Sequence, residues 1–358
     1  GSEMCIRDSG KTTTTSMLTV ARQHCGLDPS FAVGGNLVSS GANAHHGTGD
    51  VFVAETDESD GSFVVFEPDI AVVANIDYDH VDQWDDQNDY VASFDAFAER
   101  VVRGGTLVVC QDDERAAELG RRRAAAGATV RRYGEHPDSD VRIESVATRG
   151  LSTRLRLVVN GRRLPEIRLG VPGHHNALNA VAALTAGLAL GVGEREISEG
   201  LETFRGTLRR FELKGEAAGV RVFDDYAHHP TELTEAVRTA RSVAAGGRVL
   251  VVFQSQLYSR TAAFAEGFGA ALGLADAVVV MDVFGSREDP VPGVTGQLIA
   301  DAVPLPEPAV HFVPSWSEVP VVAAGLAGPG DLLLTAGSGD VTLVGPEVLD
   351  LLRSREES

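Results

Sequence analysis

The chain has 358 residues, 43% of them hydrophobic and 23% charged, with a formal net charge of −20. That length exceeds one ordinary core, so two or three domains of ~100–200 residues are expected, and the hydrophobic fraction excludes a wholly disordered chain. The acidity argues against a nucleic-acid binder, which must neutralise phosphates with Lys and Arg, and no apolar run approaches the ~20 residues that span a bilayer.

Residues 1–15 lack the apolar stretch of a signal peptide. GSEMCIRDS (1–9) contains no apolar strand and is read as a non-native or artefactual start. A helix is predicted near 12–25. Strands follow at VFVAE (51–55), IAVVANI (70–76) and TLVVC (106–110), with helices near 88–102 and 113–126. The stretch 141–170 alternates with period two, which predicts an antiparallel excursion. A helix pair over 174–204 closes the first unit, and a domain boundary is placed near Gly206–Leu213. Beyond it, strands are predicted at VRVFDDY (220–226), RVLVVF (248–253), AVVVMDV (277–283) and DLLLTAG (331–337), with helices near 230–243, 260–273 and 316–327. Apolar strands alternating with helices read as βαβ units with buried parallel sheets, so the fold class is α/β. The acidic tail REES (355–358) is expected to fray.

Three cysteines, Cys5, Cys25 and Cys110, are odd in number and lack CxxC spacing. They argue for a reducing cytoplasm and against a disulfide framework or zinc site. Of 31 basic residues only Lys11 and Lys214 are lysine, a bias that a GC-rich genome produces. Lys11 falls in SGKTTTT. The basic run at 121–132 reads as a solvated helix face followed by a strand.

Four polar clusters stand out. Gly10, Lys11, Thr12 and Thr13 open a helical run. This is either a phosphate loop, where backbone N–H groups, the Lys charge and a Mg²⁺-ligating Thr meet a phosphate, or a chance helix start. A full GxxxxGK[ST] loop wants glycine at position 5, where Cys5 stands. Glu55, Asp57, Glu58 and Asp60 crowd the end of a strand, where ligands bind in parallel sheets. They form either a solvated acidic loop or a Mg²⁺ site. Asp77, Asp79, His80 and Asp82 follow a second buried strand, and His80 there is a metal ligand or a charge organiser. Asp224, Asp225, Tyr226, His228, His229 and Glu232 mark a strand end, a turn and a helix start with Pro230 in its first turn. No spaced Cys or third His supports zinc at the His pair. His174, His175, Asn176 and Asn179 alone read as a helix cap. Trp84 and Trp316 read as packing, and the glycines after 337 lack the third glycine of a dinucleotide fingerprint.

Taken together the motifs resemble the Mur ligases, the ATP-dependent amide ligases of peptidoglycan precursor synthesis. The strings that carry the resemblance are GKTTTTSM (10–17), NLVSSGANAHHGTGD (36–50), VAETDESDGSF (53–63), NIDYDHVD (75–82), PGHHNALNAVAA (172–183), RRFE (209–212), DDYAHHPTE (224–232), FQSQLYSRT (253–261), DVFGSREDP (282–290) and TAGSGD (335–340). They run in family order from residue 10 to about 345. The resemblance implies a central P-loop-type ATPase domain with a mostly parallel sheet at 10–207, truncated at its N-terminus, and a Rossmann-like C-terminal α/β domain at 208–358. The family's N-terminal UDP-sugar domain has no counterpart in the sequence, and the first glycine of the family loop is missing.

The resemblance implies ATP and Mg²⁺ as cofactors, with UDP-N-acetylmuramate and L-alanine as substrates, in a cytoplasmic monomer or homodimer. In the family, ATP phosphorylates the muramate carboxylate and the amine attacks the acyl phosphate. Lys11 is expected on the β/γ-phosphates with Gly10 and Thr13, and Thr12, Glu55 and His80 on Mg²⁺. Asn176 and Asn179 resemble adenine-side contacts, Arg210 a γ-phosphate contact and Asp225 a ribose contact. Tyr226, His228 and Arg260 resemble amino-acid-binding residues, with His228 able to take the amine proton. Ser255 and Gln256 stand where the family often reads Pro-His, and Leu257 where some members carry Arg. Three other readings stand beside this one: a sister ligase that attaches recycled peptide to the same sugar, a P-loop nucleotide-binding module without ligation, and an inactive scaffold with a damaged phosphate loop.

Overall fold

The computed structural model describes residues 10–57, 61–78, 84 and 86–356, with 2–7 and 62 described by backbone alone. The chain divides into two compact units, Gly1–Leu208 and Arg209–Ser358.

The first unit begins with β1 (Ser2–Arg7), α1 (Lys11–His24), β2 (Ser30–Ala32), β3 (Ala44–His45), β4 (Val51–Glu55) and β5 (Ile70–Val73). It continues through α2 (Gln87–Glu99), β6 (Thr106–Cys110), α3 (Glu114–Ala125), β7 (Thr129–Gly134), β8 (Val141–Arg149) and β9 (Ser152–Val159). It closes with β10 (Arg162–Arg163), β11 (Ile167–Leu169), α4 (His174–Ala189) and α5 (Glu194–Glu202). Among the described residues the strands form one sheet in the order β10-β9-β8-β7-β6-β5-β1-β4-β2-β3, with β11 on β9. From β8 to β2 every pairing is parallel. β9 runs antiparallel to β8, β10 and β11, in the segment whose period-two alternation signals it.

Contrary to the sequence expectation, a strand does precede Gly10. β1 lies between β4 and β5 and pairs with both, Met4 standing opposite Val53 and Ile70. A strand flanked on both sides is specified by main-chain N–H and C=O pairing. The apolar run Met4-Cys5-Ile6 is too short to announce it in a sequence window.

Helices cover both faces of this sheet. Met17 and Leu18 of α1, Val181 and Leu184 of α4 and Ile197 of α5 share one core with Val53 and Val72. Tyr90, Phe94 and Phe97 of α2 and Leu119 of α3 pack on Phe63 and Val109 across the other face. Four consecutive threonines, Thr12–Thr15, are poor helix formers by propensity, yet all lie in α1 and all are buried. Tertiary packing decides their state. A Cβ on Gly200 of α5 would sit 2.7 Å from Ala21 Cα, so the approach of α5 to α1 depends on that glycine.

The second unit comprises β12 (Glu212–Ala217), β13 (Val220–Asp225), α6 (Pro230–Ala244), β14 (Val249–Phe253), α7 (Tyr258–Leu272) and β15 (Ala277–Met281). It ends with α8 (Gly296–Ala302), β16 (Val310–Val313), α9 (Val319–Leu326), β17 (Leu332–Ala336) and α10 (Val344–Glu356). The order is β12-β13-β17-β14-β15-β16, parallel throughout except for β12. β14, β15 and β17 are buried along their whole length, which is why they read as unbroken apolar runs rather than alternating ones. α6, α7 and α8 pack on one face around Phe223, Phe253 and Phe268. α9 and α10 cover the other around Val222, Val252 and Leu333.

Asp225, Ala336 and Phe253 stand in register across β13, β17 and β14. The residues just beyond them, Tyr226, Gly337 and Gln254, therefore leave the sheet at one level. The tail expected to fray is partly structured: α10 runs to Glu356, whose carboxylate accepts the Ala218 N–H at 2.9 Å and so ties the helix end to the β12–β13 turn. No helix among the described residues is long and apolar enough to cross a membrane.

Candidate functional site

In the first unit the site begins at the N-terminus of α1. Gly10 caps the helix in the left-handed region, at φ 90°, without a side-chain hydrogen bond, and the first turn carries no acidic residue. A Cβ at Gly10 would lie 2.2 Å from Asn179 Oδ1, so glycine is required both for its dihedral and for that approach. The helix start thus presents main-chain N–H groups and the positive end of its dipole with no internal carboxylate to neutralise them. Thr12 and Thr13 are buried in this first turn.

The Thr12 hydroxyl donates to Glu55 Oε1 at 2.8 Å, and the Gly34 N–H donates to Glu55 Oε2 at 2.6 Å. A Cβ on Gly34 would stand 2.8 Å from Glu55 Oε1, so a larger residue would push the carboxylate away from Thr12. Lys11 Nζ lies 3.8 Å from Asp57 Oδ1, whose side chain is 67% exposed. A pair this long, with one partner so exposed, is worth only roughly 0–1 kcal/mol. Behind the loop, Thr14 Oγ1 donates to Asn179 Oδ1 at 3.3 Å and Asn179 Nδ2 donates to Asn176 Oδ1 at 3.4 Å. Asn176 Nδ2 in turn donates to the Pro172 carbonyl at 2.7 Å. This chain of bonds joins the starts of α1 and α4.

In the second unit the cluster forms where β13 ends. Asp225 is buried, and its two oxygens accept the N–H groups of Phe211 and Ala227, each at 2.8 Å. Burial pushes its carboxyl up to about 6, against the opposing pull of the Arg210 charge. Glu232 is the converse case. Burial works to raise it, but the facing His228 and Arg210 charges and the His228 N–H hold it at about 2. His228 Nδ1 lies 3.0 Å from the Tyr226 carbonyl and 3.3 Å from Glu232 Oε2. Both neighbours are acceptors, so Nδ1 carries a proton and turns that side of the ring toward Glu232. His229 caps α6 through Nδ1, which accepts the Thr231 N–H at 3.4 Å. The Arg210 guanidinium carbon stands 5.2 Å from the Tyr226 ring centroid, and the rings of Tyr226 and His228 meet edge-on at 5.3 Å. Arg260 is buried in the first turn of α7, which leaves the sheet at the same end.

Gly10, Lys11, Thr12, Glu55, Asn176 and Asn179 are thus gathered in the first unit, and Arg210, Asp225, Tyr226 and His228 in the second. His80, Glu58, Asp60, Asp79 and Asp82 lie outside the described residues. Gly34 and Arg209 escape sequence reasoning. Gly34 acts through its main chain, which no residue pattern reveals, and Arg209 is masked by Arg210 beside it. Trp84 packs edge-on against Tyr90 at 5.8 Å, as a packing residue should.

The Mur ligase middle-domain profile matches residues 9–187, and the Mur ligase, glutamate ligase domain profile matches residues 209–339. The chain belongs to the Mur ligase family. The first Mur ligase match contains Gly10–Thr13, Glu55, Asn176 and Asn179, and the second contains Arg210, Asp225, Tyr226, His228 and Arg260. The UDP-N-acetylmuramate–L-alanine ligase of Saccharopolyspora erythraea is 56% identical over 342 residues, covering 95% of this chain and 70% of that protein. The enzyme of the same name from Acidothermus cellulolyticus is 52% identical over 347 residues, covering 97% of this chain and 73% of its own length. The crystal structure of UDP-N-acetylmuramate-alanine ligase from Thermotoga maritima superposes with a TM-score of 0.78 at 27% identity, over 99% of this chain and 75% of that one.

Proposed function

We propose that this Mur ligase joins L-alanine to the carboxylate of UDP-N-acetylmuramate, converting ATP to ADP and phosphate, in the cytoplasmic synthesis of peptidoglycan precursors. The observation that carries the reading is the start of α1, where Gly10 caps the helix without a side chain and Lys11 stands beside the Thr12–Glu55 pair. That arrangement binds a polyphosphate and a hard cation together. The family relatives above 50% identity supply the choice of alanine as the acceptor over a peptide.

Lys11 and the first N–H groups of α1 hold the β/γ-phosphates. The donors on hand for a metal are the Thr12 hydroxyl and the Glu55 carboxylate, both oxygen. Among the described residues no group of three or more His, Cys, Asp or Glu could hold a metal by itself. A hydroxyl beside a single carboxylate fits Mg²⁺, which binds through one or two carboxylates plus water and substrate phosphates. When bound, it supplies charge neutralisation between the attacking carboxylate and the triphosphate. His80 belongs to the same role in this reading.

The muramate carboxylate oxygen attacks the γ-phosphorus and ADP leaves, which yields an acyl phosphate. The alanine amine then attacks the acyl carbon, and the tetrahedral adduct collapses to amide and phosphate. His228 Nε2 takes the proton the amine loses, while Glu232 stabilises the resulting imidazolium. Arg260 pairs with the alanine carboxylate as a planar fork, and Tyr226 contacts the amino acid. Asp225 receives the ribose hydroxyls, Arg210 the γ-phosphate, and Asn176 and Asn179 the adenine side.

The test is phosphate release from ATP and Mg²⁺ in the presence of UDP-N-acetylmuramate, with the amine varied. It is run on this chain completed with the N-terminal domain of a Mur ligase relative. Release that requires alanine supports the reading. Release that requires a peptide transfers the chain to the sister ligase, and no release with any amine overturns ligation altogether.

A further inference from the structure

Arg209 and Arg210 are neighbours in sequence and both guanidinium groups lie over the Tyr226 ring, but Arg209 is also bonded to Asp224 and to the turn after β17. Arg209 and Phe211 each adopt a positive φ, 59° and 49°, which residues other than glycine adopt only when held there. Its side chain is committed inward. Nε donates to Asp224 Oδ2 at 3.3 Å, and Nη2 to the Gly337 carbonyl at 2.7 Å and the Gly339 carbonyl at 3.3 Å. Its main chain is committed as well: its N–H goes to Glu212 Oε2 at 2.9 Å, and its carbonyl accepts the Tyr226 N–H at 2.8 Å.

Asp224 is fully buried and accepts the hydroxyls of Thr335 and Thr342, each at 2.7 Å. Its carboxylate therefore fixes the guanidinium plane from a rigid base. The guanidinium carbon lies over the Tyr226 ring, 4.8 Å from its centroid. Arg209 thus grips Tyr226 twice, by its main chain and by its ring, while the same side chain holds the turn that follows β17. Asp225 is held separately by the Phe211 and Ala227 N–H groups.

We propose that Arg209 is a positioning residue for the acceptor amino acid, acting by fixing Tyr226 against the Gly337–Gly339 turn. The proposal rests on the ligase reading, in which Tyr226 contacts the alanine. A counter-ion for buried Asp224 needs only a positive charge, whereas a positioning residue needs the planar fork and its stacking face. Lysine supplies the first and not the second.

The experiment compares Arg209→Lys and Arg209→Met with the wild type in the polypeptide used for phosphate release. Thermal unfolding, hydrogen–deuterium exchange of residues 222–228 and 335–341, and separate KM values for alanine and ATP are measured. Arg209→Met strands a buried carboxylate and is expected to melt lower. Arg209→Lys keeps the cation, so its melting should stay near the wild type. The Lys variant is nevertheless expected to exchange faster in both segments and to raise the alanine KM roughly tenfold, with a much smaller change for ATP. A Lys variant with the wild-type alanine KM, or alanine and ATP KM values that rise in step, overturns the proposal. Unaltered exchange in both segments also overturns it, and that readout needs no turnover. If the wild type releases no phosphate with any amine, the ligase reading fails on its own account, and exchange still reports whether Arg209 fixes Tyr226 and the turn.

Discussion

The hydroxyl of Thr12 donates to Glu55 at 2.8 Å although 43 residues separate them in sequence. One comes from the first turn of α1, the other from the last residue of β4, and β1 lies beside β4 in the sheet, leading toward α1. Parallel neighbours end at the same level, so the residue that closes one strand faces the helix that follows the other. In the proposed reaction this hydroxyl–carboxylate pair, at a helix start capped by Gly10, takes a cation beside the phosphates.

Lys11→Ala should leave the fold intact, since Lys11 lies in the first turn of α1 and its ion pair with Asp57 reaches a largely exposed side chain. Phosphate release should fall roughly 100–1000-fold, the usual consequence of removing one preorganised donor from a developing charge. Steady-state turnover beside a thermal melt checks both halves, and unchanged turnover would refute the assigned role.

Gly10→Ala should harm both stability and nucleotide binding. The residue sits at φ 90°, and a Cβ would meet Asn179 Oδ1 at 2.2 Å. A side chain in the left-handed region costs about 1–2 kcal/mol, and Asn179 must move away from Thr14 to relieve the contact. Denaturant titration with and without ATP is the measurement. A variant as stable as the wild type that also binds ATP as tightly contradicts the geometry.

His228→Gln separates proton transfer from nucleotide binding. General base catalysis contributes ~100–10,000-fold, so amide formation should drop by that order while the KM for ATP changes little. The matching variant Glu232→Gln should lower turnover by less, because it removes only the group that stabilises the imidazolium. A fall in nucleotide affinity as large as the fall in turnover would assign His228 elsewhere.

The two carboxyls near Arg210 should act on stability in opposite directions. Asp225 has an ordinary value of 3.8 and a folded value of about 6. Between those values the native state holds a proton the unfolded chain has released, so this contribution to stability declines as the pH rises through that window. Glu232 moves from 4.5 to about 2, so its contribution is complete above 4.5 and disappears as the pH falls toward 2. Unfolding titrations over this range should show a decline between pH 4 and 6 that Asp225→Asn removes, and an acid limb that Glu232→Gln flattens. On the proposed reading, in which Asp225 takes the ribose hydroxyls as a carboxylate, the ATP KM should also rise below about pH 6 in the wild type.

Periodicity and motif order established the α/β class, the alternation of buried strands with helices, and the antiparallel run of β8 and β9. Each is written locally, in side-chain spacing over a few residues. Lys11, Thr12, Glu55, Asp225 and His228 could be singled out because strand ends and helix starts collect polar residues in short strings. What needed the tertiary structure was every relationship made by the main chain or by distant partners. β1 exists because β4 and β5 flank it. Gly34 matters for its N–H and its missing Cβ, neither of which a residue pattern displays. Arg209 acquires its role only where β13, β17 and the turn after Ala336 converge. Local propensity is a property of neighbours along the chain, whereas the energies that hold these groups come from burial and hydrogen bonds between segments far apart in sequence.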